Sequence, residues 1–501
     1  MAGGYKPYDP HTGSLFPRHL DELVPADDPV RLVFEATHVL DLSRFLTRGR
    51  LSGQQGFHPL LMIRLLVWGY ANGIYSSRKI ATAVRRDVTF MWLAGEARPS
   101  YRSIIRFRSD HQVALRGLFG QVLRLCAEAG LVRLGHVALD GTVLEANTSR
   151  HKAMSYGRMK QEEGRLQQEI EDWFVRAASE DDDENARFGD HDGQSLPQEL
   201  HRREERLKRI QAARERIEAE ARAEQQLTAE QAPVVEDKEQ RSFADPEARI
   251  MPGKRGGFEY GYNAQIAVDD QAGVIVAAEL DHTSSDVKHL ESMVQQVREA
   301  RDVVEGAPAT THVTADAGYF SSEHMGAADG NGIELLVSPG RESKATSPPA
   351  EGKVFDTSRF TYDEEHQQLR CPAGRLLVLS ERSDERFVAQ DCDGCPLRSQ
   401  CLKPGESRRH VRFFKRRIPG ALMRVRMRRP EAKAVYRRRK CTVEPVFGQM
   451  RWARGLRRLS LRGQMAAACE FVFICVVHNI LKWASSHLRR APDPALALSV
   501  A

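Results

Sequence analysis

The sequence lacks an uninterrupted apolar run of membrane-spanning length. Its longest candidate, AAACEFVFICVVHNILKWA, carries Glu470, His478 and Asn479. Such groups are costly at bilayer depth, so a buried core helix and no membrane partner are expected. The opening residues, MAGGYKPYDPHTG, lack a basic segment followed by an apolar one. No signal peptide is expected, and a cytoplasmic protein follows. Acid is nearly missing from one region. Residues 408–440 hold 15 Lys or Arg and a single acid, Glu431, so the segment is +14 where the whole chain is +6. That absence points to a surface for a polyanion. Val411, Phe413, Phe414, Leu422 and Val425 are interleaved with the cations. A folded, nucleic-acid-facing segment is therefore expected rather than a solvated tail.

With 501 residues the chain is too long for one simple core, and about two to four domains are expected. The first 130 residues read as helical. HPLLMIRLLVWGYANGI has an apolar stripe at Leu61, Leu65, Trp68 and Tyr70. SSRKIATAVRRD reads as a second helix. SYRSIIRFRSDHQVALRGLFGQVLRLCAEAG reads as a third, with Ser100 as its cap. Arg78, Lys79, Arg85, Arg86, Arg102, Arg106 and Arg108 on these helices fit a helix-turn-helix-like DNA-binding module. They fit a plain bundle with a charged exterior equally well.

From residue 131 the texture changes. HVALDGT reads as a short buried strand ending on Asp140. Two charged helices, separated by SEDDDENARFGDHDGQSLP, form a helical-hairpin insertion over residues 151–250. GYNAQIAVDDQAGVIVAAELD is a hairpin pattern, a helix begins at Asp286, THVTADAGYF is a strand delivering Asp316, and IELLVSPG is another strand. The alternation predicts a mixed α/β sheet.

Asp140 and Asp316 share a context, each closing an apolar strand before a small residue. Ligands gather beyond the carboxyl ends of such strands. Alone, either Asp merely starts a turn. Joined by Glu444, the two suggest a carboxylate cluster. Acids about 4 Å apart repel by roughly 4 kcal/mol at an effective dielectric near 20, so a cation is needed. Hard oxygen donors suit Mg²⁺ or Mn²⁺, and two such ions about 3.5–4 Å apart can grip a phosphodiester in line. Tyr436, Lys440, Glu444 and Arg451 fall within about 80° on a helical wheel. Pro445, however, sets Glu444 at a kink or just before a helix start. Cys371, Cys392, Cys395 and Cys401, with a C-x2-C knuckle, suit a structural Zn²⁺ in a zinc-ribbon-like insertion.

The pieces YDPHTGSLFP, FHPLLMIRLLVWGYANGIYSSRKI, HVALDGTVLEANTSRHKAMSYG, GYNAQIAVD, VTADAGYFS, DCDGCPLRSQC and YRRRKCTVEPVFGQMRWARGLRR occur in an order that resembles bacterial insertion-sequence transposases of the DDE type. The closest likeness is to the eleven-eighty-two group among insertion-sequence-five-like relatives. The resemblance implies an RNase H-like catalytic core assembled from residues 131–150, 251–340 and 431–487. Around it would lie an N-terminal helical DNA-binding domain (1–130), the charged insertion, a cysteine-rich basic insertion (341–430) and a tail (488–501). It implies Asp140, Asp316 and Glu444 as ligands of two Mg²⁺ or Mn²⁺ ions. It also implies a Tyr, Arg/Lys, Glu, Lys signature, matched here by Tyr436, Arg439 or Lys440, Glu444 and Arg451. Arg451 stands where the family has lysine. Tyr262, Asn263 and Gln265 match a recurrent family segment, to which a structural role on the strand is assigned. The implied partners are double-stranded DNA, as terminal inverted repeats and target, and a second copy of the chain, in a bacterial, nucleoid-associated setting. The competing readings are a transposase-derived regulator without catalysis and a simple metal-dependent nuclease.

Overall fold

The apolar runs pair off as strands and helices in the computed structural model, which describes residues 19–46, 56–148, 153–188, 198–228, 231–252, 256–340, 349, 353–380 and 383–490. The YDPHTGSLFP motif, His151, Lys152 and the tail from residue 491 lie outside them.

Among the described residues seven α-helices come first: α1 (Leu20–Leu23), α2 (Pro29–His38), α3 (Pro59–Ala71), α4 (Ser77–Ala83), α5 (Val88–Ala94), α6 (Tyr101–Asp110) and α7 (Gln112–Glu128). Helix α3 is not striped. Met62 through Tyr70 are all buried, so it is a central helix packed on all sides. The expected third helix is two, broken at His111. Ser100 caps the first of them, its Oγ accepting from Ser103 N at 3.2 Å.

Strand β1 (His136–Glu145) opens the sheet. A small ladder of β2 (Ala153–Ser155) and β3 (Gln240–Ser242) closes the base of a hairpin formed by α8 (Tyr156–Phe188) and α9 (Gln198–Glu224). The hairpin has its own small core of Met154, Met159, Leu166, Ile210, Ala213 and Ile217. Helix α8 continues into the first part of the acidic stretch that reads as a separator in sequence, as far as Phe188. Then follow β4 (Arg249–Pro252), β5 (Phe258–Asp269), β6 (Ile275–Asp281), α10 (Leu290–Val303), β7 (Thr311–Ala315), α11 (Ser322–Ala328) and β8 (Ile333–Val337).

Among the described residues these strands make one mixed sheet of order β4-β5-β1-β7-β8, with β6 also on β5. Strand β1 is antiparallel to β5 and parallel to β7, and β7 is parallel to β8. One apolar core joins this sheet to the N-terminal helices and to the last helix.

A second sheet follows, of β9 (Thr361–Asp363), β10 (Gln368–Arg370), β11 (Leu376–Ser380), β12 (Ser383–Ala389) and, after α12 (Arg398–Cys401), β13 (His410–Arg412). It is wholly antiparallel, with a separate core. Helices α13 (Ile418–Arg426), α14 (Pro430–Arg437), α15 (Arg439–Gly448) and α16 (Gln464–Arg490) lead back to the first sheet. Residues 464–487 of α16 are long and apolar enough to cross a membrane by length and composition. They pack against α7 and β6, and most of their side chains are buried.

Candidate active site at the ends of the parallel strands

Strand β1 does not end on Asp140. It continues to Glu145 because its antiparallel partner continues beside it, from Asp140 opposite Ile266 to Glu145 opposite Gly261. The parallel neighbour is what stops: β7 ends at Ala315 and Asp316 follows. The β1–β7 register pairs Ala138 with Thr314. Asp140 and Asp316 each lie two residues beyond that pair, close enough for the Asp316 charge to act on the Asp140 carboxyl. The two aspartates thus share one carboxyl-terminal edge of the parallel strands, as α/β sheets favour for ligands.

Each is held by one local bond. Gly141 N donates to Asp140 Oδ1 at 2.9 Å, and Gly318 N to Asp316 Oδ1 at 2.8 Å. Burial pushes the Asp140 carboxyl up to about 6; the Arg439 guanidinium pulls it back, and Asp316 and Asp286 add to the rise.

Asp286, read from sequence only as a helix start, lies in the same place. Its Oδ1 accepts from Asn263 Nδ2 at 2.9 Å and from Gln265 Nε2 at 2.8 Å. A Cβ at Gly141 would collide with the Gln265 amide and lie 3.0 Å from Asp286 Oδ1, so only glycine leaves room there. A Cβ at Gly318 would lie 3.1 Å from Asp286 Oδ2 and 3.0 Å from Asp316 Oδ1. Gln265 also donates to Asn263 Oδ1 at 2.9 Å and accepts from the buried Tyr319 hydroxyl. The structural role read for Asn263 and Gln265 is therefore a specific one: they fix a carboxylate. Alternation on β5 puts both on the face bearing Asp286. Tyr262 differs, its hydroxyl donating to Asp245 Oδ1 at 2.9 Å.

Helix α15 covers β1. Val443, Val446 and Phe447, with Met450 just beyond, anchor its inner face in the core. Arg439 lies on that face, 7% exposed, its Nη1 3.6 Å from Asp140 Oδ2. Lys440 is exposed, so of the two candidate cations it is Arg439 that faces the carboxylates. Glu444 is also exposed on α15. It sits neither at a helix start nor at the break. The helix runs through Pro445, the break lies at Arg438, and a π-helical turn follows at Gln449–Ala453. Tyr436, half-buried on α14, is therefore on the other side of a break from Lys440, and the helical wheel does not carry across it. Arg451 turns to the sheet, donating from Nη2 to Thr142 Oγ1 at 2.5 Å and to the Val143 carbonyl.

The four cysteines gather at one end of the second sheet. Cys371 follows β10, Cys392 and Cys395 lie between β12 and α12, and Cys401 closes α12. All are free thiols. Burial first, then the neighbouring thiols of Cys371, Cys392 and Cys395, push the Cys401 thiol up to about 11 against a lowering by Arg409. Arg375 N donates to Cys371 Sγ at 3.3 Å. Among the described residues, no three or more His, Cys, Asp or Glu side chains stand arranged to hold a metal ion, here or at the aspartates.

Cations of the basic segment ring aromatic faces. Arg412, Arg416 and Arg417 lie 4.9, 5.1 and 5.6 Å from the Phe414 ring. Arg424 lies 4.9 Å from Phe320, four residues beyond Asp316. In the N-terminal helices Arg78, Lys79, Arg85, Arg86, Arg102 and Arg106 are exposed. Arg108 is not; it is buried on Glu470.

Residues 370–484 match the family described as Transposase DDE domain, and residues 18–110 match Transposase domain (DUF772). Both matched families are transposase families, and together they indicate an insertion-sequence DDE transposase. The first match begins at the cysteine segment and ends in α16, taking in α15 with Arg439 and Glu444; the second covers α1–α6. No curated protein and no solved structure matches the transposase.

Proposed function

We propose that this transposase cuts the ends of an insertion sequence and joins them to target DNA, with Asp140, Asp316 and Glu444 as its catalytic carboxylates on an RNase H-like core. The observation that supports the reading is the parallel β1–β7 pairing, beyond whose last pair Asp140 and Asp316 follow, with the helix that bears Glu444 packed on β1. The donor set fits hard divalent cations: oxygen ligands only, with Asp140 already strained by burial and like charge. Asp140, Asp316 and Glu444 would hold two Mg²⁺ or Mn²⁺ ions. When bound, these supply Lewis-acid activation of water or a 3′-hydroxyl and neutralise charge on the phosphate.

The chain's own residues do the rest. Arg439 stands beside Asp140 to meet a phosphate oxygen. Lys440, Arg437 and Arg438, exposed at the α14–α15 break, track the backbone. Tyr436 buttresses that break from α14. Arg451, spent on β1, holds the end of α15 to the sheet. Two ends must meet in one complex, so a homodimer on DNA is proposed, in the cytoplasm. The four cysteines, by residue type and C-x2-C spacing, are proposed as ligands of one structural Zn²⁺; elemental analysis of the purified chain then reads about one zinc per chain. A reading of none removes that site.

The test of catalysis is nicking of DNA that carries the inverted repeats. Mg²⁺-dependent nicks, lost on chelation, are expected. Repeat binding with no nick in Mg²⁺ or Mn²⁺ would leave the non-catalytic regulator instead.

A further inference from the structure

We infer, resting on the reading of Asp140 and Asp316 as metal ligands, that Asp286 is a further carboxylate of the same cation site and its most rigidly held member. Asp140 and Asp316 are each fixed by one backbone N–H. Asp286 is fixed by two side-chain amides, themselves almost fully buried: Asn263 is 3% exposed and Gln265 0%. Behind them the buried Tyr319 hydroxyl orients the Gln265 amide, so that its NH₂ points at Asp286. A buried polar chain of this kind is expensive unless every member is satisfied. Here its members converge on one oxygen, Oδ1. Oδ2 is left towards Gly318 and Asp316. Gly141, opposite Gln265 on β5, and Gly318, two residues after Asp316, keep side chains out of the space around the Asp286 carboxylate.

A second observation points to a ligand. Arg439, more than nine-tenths buried, aims Nη1 at this cluster, yet neither that atom nor Nε has a hydrogen-bond partner among the described residues. A buried guanidinium with unspent N–H groups awaits an anionic oxygen. Three carboxylates facing one guanidinium leave two negative charges uncompensated. A divalent cation offsets those two charges, and a phosphate oxygen drawn to it would use the idle N–H.

The test is Mn²⁺ alone, titrated calorimetrically into the full-length protein, its D286N and D316N variants, and D286A. Asp286→Asn keeps an acceptor for the two amides and removes only the charge. D286N is expected to melt cooperatively without metal, to bind Mn²⁺ at least about tenfold more weakly, and to lose the Mn²⁺-induced rise in Tm. D286A, which also drops the acceptor, is the check should D286N fold poorly, and the same loss is expected. Mn²⁺ affinity within twofold of wild type in D286N, with D316N impaired, overturns the role of Asp286 and leaves the two-aspartate site standing. A wild-type chain that takes no Mn²⁺ overturns both.

Discussion

Asp316→Asn abolishes cutting while leaving the protein on its DNA. The expected loss in Mg²⁺-dependent cleavage exceeds about 100-fold, the upper end of what removing a mere outer partner of a metal ligand costs. The substitution is nearly isosteric. Asn keeps an oxygen to accept from Gly318 N, so the turn after β7 survives. What it removes is one negative charge at the meeting point of β1 and β7. Binding to end DNA should be unchanged or tighter, because a carboxylate that repels phosphate is gone. Electrophoretic mobility shift and a cleavage assay on the same preparation check both halves. Cutting retained within tenfold would remove Asp316 from the catalytic set.

The second large effect is on stability. Arg108 on α6 and Glu470 on α16 form an ion pair at 2.8 Å, with side chains 6% and 1% exposed. It spans the two matched family domains. Glu470 is satisfied throughout: Oε1 accepts from Arg108, the Ser460 hydroxyl and, at 3.3 Å, the Tyr70 hydroxyl, and Oε2 from Ser460 N and Leu461 N at 2.8 Å each. Removing one partner strands the other charge in the core. Glu470→Ala and Arg108→Met should each cost about 3–5 kcal/mol in denaturant unfolding. The double variant Arg108→Met with Glu470→Leu should recover only part of that loss, since no charge is left stranded but Ser460 N and Leu461 N lose their acceptor. Single variants within about 1 kcal/mol of wild type would show the pair to be unimportant to how the domains dock.

The same residue shows where sequence reading reaches its limit. Arg108 sits among exposed arginines and reads as one of a DNA-binding set. Only the three-dimensional neighbour, 362 residues away, reveals it as buried. The strands β5, β6, β7 and β8 are legible because alternation and β-branched runs are local signals. Asp316 is legible for the same reason: it follows an apolar strand and opens a glycine turn. Asp140 is legible as a residue but not in its setting, because the length of β1 is set by β5, more than a hundred residues on.

Asp286 is invisible for a related reason. It is a single acid at a helix start, and nothing in DHTSSDVKHL distinguishes it from a cap. Its signal is divided among Asn263 and Gln265 on one strand, Gly141 on another and Tyr319 beyond a third. In retrospect the N-x-Q pattern on one face of a buried strand was the cue. Amides there must be satisfied, and their partner is a functional candidate. The choice between Arg439 and Lys440 likewise needed the helix break at Arg438, which depends on how α14 and α15 pack against the sheet rather than on Pro445.

Joining, more than cutting, is what separates a transposase from a nuclease. The most direct measurement therefore uses end-containing DNA labelled at the transferred 3′ terminus, incubated with the full-length protein, target DNA and Mg²⁺. The expected result is label covalently joined to target in wild type, lost in Asp140→Asn, Asp316→Asn and Glu444→Gln. Free 3′ ends that never join, or joined product that survives all three substitutions, would contradict the account.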